Sequence, residues 1–475
     1  MTVKVQDLLQ NCEDAVRAGQ MSTASLILSS IPAKDIPRKL IGRAANLCRR
    51  TGKVTLGLRL LTRIIHPEKV GAAPATAVEI AEYAVLLQRA GGIAEALELL
   101  ESPRSQGPWE TRLYRAYCFF ARWDYARAVP ELESYLDGEL APYARVVGEV
   151  NLASALIGAQ EDERALPLVE SLIAKTGNAL RLHGNCLEMA AQLRIRSGQF
   201  ERAAEDLDAA AKILTGGLDR LFIQKWRGYL VALREGRLTP LLETRALAAE
   251  LRHFETLRDI DHLILRTGFD ETRFERLYFG TPSPAYREKL VASLGRAPTH
   301  GHYVDGAAGS APIEFAGTDK VSRVLHLVSR DLYRPIQLGT LFAELFPREH
   351  FDIFHSPDRV HQLIRRARRQ LKAQGLDMKI EGRGGSFQLF RGPEAALLLR
   401  AAPDVADPHE RWWNTLLQSF RPGMEFSARE ARGRLGLSTG QFRRFARWAQ
   451  ERRSLHVYGA GPATTYEIAS LARPA

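Results

Sequence analysis

The chain has 475 residues, enough for about three domains. Its hydrophobic share is 45% with only four cysteines, so a sizeable core forms without a disulfide framework. The start, MTVKVQDLLQNCEDAVRAG, lacks the apolar core of a signal peptide, and no run reaches the ~18 apolar residues of a membrane span. A cytoplasmic protein with no membrane contact is expected. The net charge is +11 and uneven: residues 301–475 hold 26 basic and 18 acidic side chains, against 40 and 37 before them. Positive charge gathered in one region is what a polyanion partner requires.

Residues 1–251 read almost wholly as helix, with apolar side chains at i, i+3, i+4 spacing and short polar or glycine breaks. Ala24, Gly57, Ala96, Ala128, Ala165 and Ala203 each fall just after a break, at intervals of 33, 39, 32, 37 and 38 residues. Five residues before them stand Gly19, Gly52, Gly91, Trp123, Gln160 and Gly198. Helical hairpins of this length predict an α-solenoid. In the clearest unit, Cys186 to Leu214, Gly198 closes one helix, Phe200 fills the turn, and Ala203, Leu207 and Ala210 line the next. This unit, and Trp123, Tyr125 and Ala128 in another, resemble the tetratricopeptide repeat. The resemblance implies a concave face for a protein or peptide; a purely supporting or homodimerising array is the alternative. Cys12, Cys48, Cys118 and Cys186 lie within these helices, far apart and without a CxxC pair, and read as small buried hydrophobes.

Residues 252–294 stay helical but lose the repeat, and Tyr278, Phe279 and Tyr286 read as plugs for a seam between domains. Residues 295–317, rich in Gly, Ala and Pro, are expected to be a linker. His300 and His302 stand there without acidic or cysteine partners, so no metal is inferred from them.

Residues 318–392 change character. The pattern predicts a helix over 319–330, a short strand over 333–337, a second helix over 338–346 and a third capped by Ser356. In that third helix Val360, Ile364, Ala367 and Leu371 form one stripe. The opposite face carries Gln362, Arg365, Arg366 and Arg369, with Arg359 at its edge and Arg368 nearer the core. Hardly an acid accompanies them, unlike a solvated face of mixed sign. Arginine forks suit phosphates and guanine edges, and glutamine suits adenine. Residues 377–391 follow as a hairpin with Arg383 in its Gly-rich turn, Gly382 to Gly385.

The stretch resembles the winged-helix output domain of bacterial two-component response regulators. Val360, Ile364, Ala367, Arg368 and Leu371 fall on that family's recognition-helix pattern, and Gly385-Ser386-Phe387-Gln388-Leu389 on its wing motif with one inserted serine. The resemblance implies a third helix in the major groove of duplex DNA and a wing along the backbone. No receiver domain is apparent ahead of it, so control by phosphorylation is not implied.

Residues 407–471 repeat the plan with Trp412, Trp413, Leu416 and Leu417 as expected core of a first helix. Ser438 is expected to cap a helix with Phe442, Phe445, Ala446 and Ala449 inside, and with Gln441, Arg443, Arg444 and Arg447 facing out. Leu435-Gly436-Leu437-Ser438 and Arg443-Arg444 are similar to the winged helices of small bacterial repressors. The sequence therefore reads as mainly α: a solenoid followed by two small α+β winged helices, expected to be a DNA-binding transcriptional regulator. A scaffold whose winged helices contact protein is the rival. No nucleophile–base pairing, metal cluster or phosphate loop is evident, so neither an enzyme nor a cofactor is expected.

Overall fold

Helical hairpins need a residue that reverses the chain, and six positions supply it with one geometry. Gly19, Gly52, Gly91, Trp123, Gln160 and Gly198 all adopt left-handed backbone, with φ between 56° and 96°. Two residues after each, a new helix begins. This computed structural model describes residues 2–67, 73–177, 180–306, 309–315, 319–347, 349–400, 408–435, 437, 439–452, 454–459, 461 and 464–469.

The hairpins are α1 and α2 (Thr2–Arg17, Met21–Ser29), α3 and α4 (Ile41–Arg50, Val54–Ile65), and α5 and α6 (Ala77–Arg89, Ile93–Glu101). They continue as α7 and α8 (Glu110–Phe120, Tyr125–Leu136), α9 and α10 (Pro142–Ala159, Asp162–Lys175), and α11 and α12 (Leu180–Arg196, Phe200–Ile213). Each expected small residue is the fourth of its hairpin's second helix. Ala24, Ala96, Ala128, Ala165 and Ala203 are wholly buried there. At Gly57 an added Cβ would stand 2.7 Å from Leu86 Cδ1, so the helices meet too closely for a side chain.

The turn chemistry makes a prediction. Nothing lies within 4 Å of a Cβ built on Gly198, so Gly198→Ala bears only the left-handed penalty. It should lower stability by about 1 kcal/mol, while Gln160→Gly should raise it by roughly 0.5–1 kcal/mol in urea unfolding. Trp123→Gly should not help, because that ring is held by Arg258 at 4.4 Å and by the edge of Tyr286.

Helices α13 (Gly217–Glu235), α14 (Thr239–Glu250), α15 (Phe254–Thr267), α16 (Glu271–Phe279) and α17 (Pro284–Leu294) extend the stack. The same turn recurs at Arg252 (φ 55°), two residues before α15, without the buried small residue that marked the others. Phe279 and Tyr286 are buried, and Tyr286 shares a cluster with Trp123 and Tyr333 at the seam. Burial pushes the Cys48 and Cys118 thiols up to about 12 and Cys186 to about 11, so these cysteines are inert. In α15, His262 meets Ser293 Oγ at 2.8 Å, and burial with the nearby Lys289 holds its pKa down to about 4. A histidine kept neutral in the fold takes up protons more readily unfolded. Stability should therefore fall as pH drops from about 6.5 towards 4. Denaturation midpoints across that window should decline less steeply for His262→Gln.

The stretch expected to be a linker supplies a strand instead, β1 (His302–Gly306). Its Asp305 is buried and paired with Arg276 and Arg391, and residues 302–306 pair along their length with residues 396–400, which together order an otherwise flexible composition. The first α+β unit follows: α18 (Lys320–Ser329), β2 (Ile336–Gln337), α19 (Leu338–Leu345), α20 (Ser356–Ala373), β3 (Met378–Arg383), β4 (Ser386–Arg391) and β5 (Ala396–Arg400). Strands β2, β4 and β3 form one antiparallel sheet in that order, and β5 pairs with β1. The second unit has α21 (Pro408–Ser419), β6 (Glu425–Ser427), α22 (Ala428–Leu435), α23 (Thr439–Glu451), β7 (Leu455–Tyr458) and β8 (Thr465–Ile468). Its sheet order, β6-β8-β7, is that of the first unit.

The first unit is welded to the array. Gly339 N donates to Ala90 O at 3.0 Å, and a Cβ at Gly339 would stand 2.5 Å from that oxygen. Thr340 Oγ1 donates to Gly91 O (2.9 Å), Gln337 Nε2 to Arg89 O (3.1 Å) and Phe351 N to Glu95 Oε2 (2.9 Å). One hydrophobic core runs from the middle hairpins into Leu341, Phe342, Phe351 and Ile364. Further along, Arg258 of α15 is buried and bonds Asp331 at 2.6 Å beneath Trp123, Tyr286 and Tyr333.

Candidate nucleic-acid interface

Helix α20 starts with Pro357 in its first turn and the acid Asp358 against the positive end of the helix dipole. The N-cap is His355, one residue ahead of the expected Ser356. Ser356 is buried, and its Oγ accepts from Asp352 N at 2.9 Å, which fixes the loop entering the helix. Val360, Leu363, Ile364, Ala367 and Leu371 form the buried stripe.

On the far side Gln362, Arg365, Arg366 and Arg369 are exposed, together with Arg368 at the edge of that face. Arg368 is tied down, because its Nε donates to Ile380 O at 2.9 Å and pins the helix to β3. Arg359 is also engaged. Its guanidinium lies 3.8 Å from the Phe346 ring centre and pairs with Glu349, whose carboxyl it holds below the usual range. The outward set is thus Gln362, Arg365, Arg366 and Arg369, with Arg359 serving the entry loop.

Arg383 ends β3 opposite Ser386, and the turn itself is Gly384-Gly385. Both glycines have positive φ (58° and 78°), as a two-residue type I′ turn demands, so Arg383 stands at the base of the turn rather than at its tip. It is exposed. Among the described residues, no carboxylate pairs with Arg365, Arg366, Arg369 or Arg383. These are hydrated cations with five donors each and no internal acceptor.

In α23, Phe442, Phe445, Ala446 and Ala449 are buried, and Arg443, Arg444 and Arg447 are exposed. The Gln441 side chain, Gly436 and Ser438 lie outside the described residues. Leu417, expected in the core, is 42% exposed. Leu416 takes the inward position, and Phe420, one turn on, stacks on Phe426 at 4.2 Å. His409, buried against Trp412 and Trp448, is a core residue that no periodicity marked.

No protein family and no curated protein matches the chain. Among solved structures it is similar to the apo form of RapI, at 15% identity and a TM-score of 0.40, over 61% of this chain and 86% of that one. It is also similar to the TPR domain of P58(IPK), at 12% identity and a TM-score of 0.22, over 77% of this chain and 99% of that one. At these scores neither likeness bears on partners, and the helical array is defined by its own hairpins. Among the described residues no helix is long and apolar enough to cross a membrane.

Proposed function

We propose that this chain is a cytoplasmic DNA-binding transcriptional regulator whose two α+β units hold winged helices, at residues 318–392 and 407–471. The observation that carries the reading is the α20 face: Gln362, Arg365, Arg366 and Arg369 exposed, unopposed by acids among the described residues, with Arg383 on the adjoining hairpin. The order helix, strand, helix, helix, hairpin, repeated with one sheet order, supports it. In this reading α20 enters the major groove, the arginines neutralise phosphates, and Gln362 with one arginine reads base edges. Arg443, Arg444 and Arg447 of α23, with Gln441 on the same helix, extend the contact to a second site.

The helical array, tetratricopeptide-like in this reading, receives a protein or peptide on its concave face or holds a homodimer. Because the first unit is bonded to the α5–α6 turn, an event on the array is felt by α20 without crossing a flexible tether. That same docking favours the scaffold alternative to one extent: one face of the unit already serves as a protein contact. The arginine face lies apart from it and stays open.

A gel shift with random-sequence duplex at low and high salt tests the proposal. Binding that weakens steeply with salt, by a log–log slope of roughly −0.9 per phosphate contacted, is expected. A chain that never retards duplex, even at low salt, is a scaffold.

A further inference from the structure

Where the first α+β unit meets the array, three potential metal ligands converge. They are His66 at the end of α4, Glu95 in the first turn of α6, and His350 in the loop before α20. Glu95 Oε1 lies 3.4 Å from His350 Nδ1 and 3.9 Å from His66 Nε2, and all three donor atoms fall within 4.8 Å of one another. The two imidazoles stack at 4.3 Å. His66 Nε2 and Glu95 Oε1 are buried and have no hydrogen-bond partner among the described residues. An unsatisfied buried polar atom costs about 1–3 kcal/mol, and these two lie 3.9 Å apart, a separation that one ion between them would bridge.

We propose that His66, Glu95 and His350 form a binding site for a divalent transition metal of the zinc class. Two imidazole nitrogens and one carboxylate oxygen are a zinc donor set, and tetrahedral ligands at ~2.0–2.1 Å stand about 3.4 Å apart. The Glu95–His350 pair already has that spacing, and the Glu95–His66 pair exceeds it by about half an ångström. The carboxylate is pre-oriented, because its Oε2 accepts from Phe351 N at 2.9 Å. The His350 side chain is 68% exposed, which gives the ion an entry path and leaves its fourth position to water. The ligands come from the array and from the loop that leads into α20, so the ion would clamp the two together. This does not depend on whether α20 binds DNA.

The test uses the full-length chain stripped with a chelator. It should take up one Co²⁺ per chain with the visible absorption of a low-symmetry N/O site, and Zn²⁺ should displace it and raise the melting temperature. His350→Ala, at an exposed position that does not threaten the fold, should weaken uptake by roughly 100-fold and abolish the Zn²⁺-dependent rise. His66→Ala should do the same. No stoichiometric uptake, or uptake and melting shift unchanged in His350→Ala, would overturn the proposal.

Discussion

Replacing Arg365 and Arg366 together with alanine should weaken binding to duplex DNA by at least about 30-fold while leaving thermal unfolding unchanged. Both side chains are exposed and make no ion pair among the described residues, so their removal costs the fold nothing beyond a solvated surface. In the proposed reading each arginine contributes either a phosphate contact or a base-edge fork. The two cases separate in one titration. A lost phosphate contact lowers affinity for every sequence and reduces the salt slope by about 1 per residue, whereas a lost base contact costs about 1–3 kcal/mol on the preferred sequence only. Arg368→Ala is the informative comparison. It loosens α20 from β3 at Ile380 and should show as lost stability before lost affinity.

Removing Arg258 should damage the molecule more than any surface substitution, by about 3–5 kcal/mol. Its side chain is 1% exposed, bonded to Asp331 and enclosed by Trp123, Tyr286 and Tyr333. Alanine there leaves a carboxylate without its cation and a void among three rings. Asp331 also accepts from Tyr333 N and Arg334 N, so the chain entering β2 loses its anchor as well. Arg258→Lys should rescue little, because an ammonium point charge cannot lie flat between rings and reach the carboxylate at once. Urea unfolding measures the loss, and hydrogen exchange should locate it in residues 319–347 and α15 first. A variant that unfolds like wild type would mean the seam between connector and first unit contributes little.

The array was legible because its signal is local and repeated. A left-handed residue, a helix start two residues on and a small residue at the fourth helical position are each visible in Gly198 and Ala203. The turn at Arg252 escaped because no small residue follows it. The faces of α20 and α23 were legible for the same reason of periodicity; on α21 Leu417 misled, because two adjacent leucines competed for one inward position. What stayed hidden depends on partners far along the chain. Gly339 is glycine because Ala90 O stands where its Cβ would be. Arg359 is occupied because Glu349 folds back to it. Asp305 helps order a Gly-rich stretch only through Arg276 and Arg391. His66, Glu95 and His350 share no spacing at all, so only the docking of the two parts brings them together.

Photo-crosslinking of the full chain to duplex DNA, followed by peptide mapping, addresses the arginine face most directly. Cross-linked peptides should come from residues 356–373 and from the hairpin around Arg383, with a second set from residues 439–452. Cross-links confined to the helical array, or none above background at low salt, would contradict the reading of α20 as the helix that grips DNA.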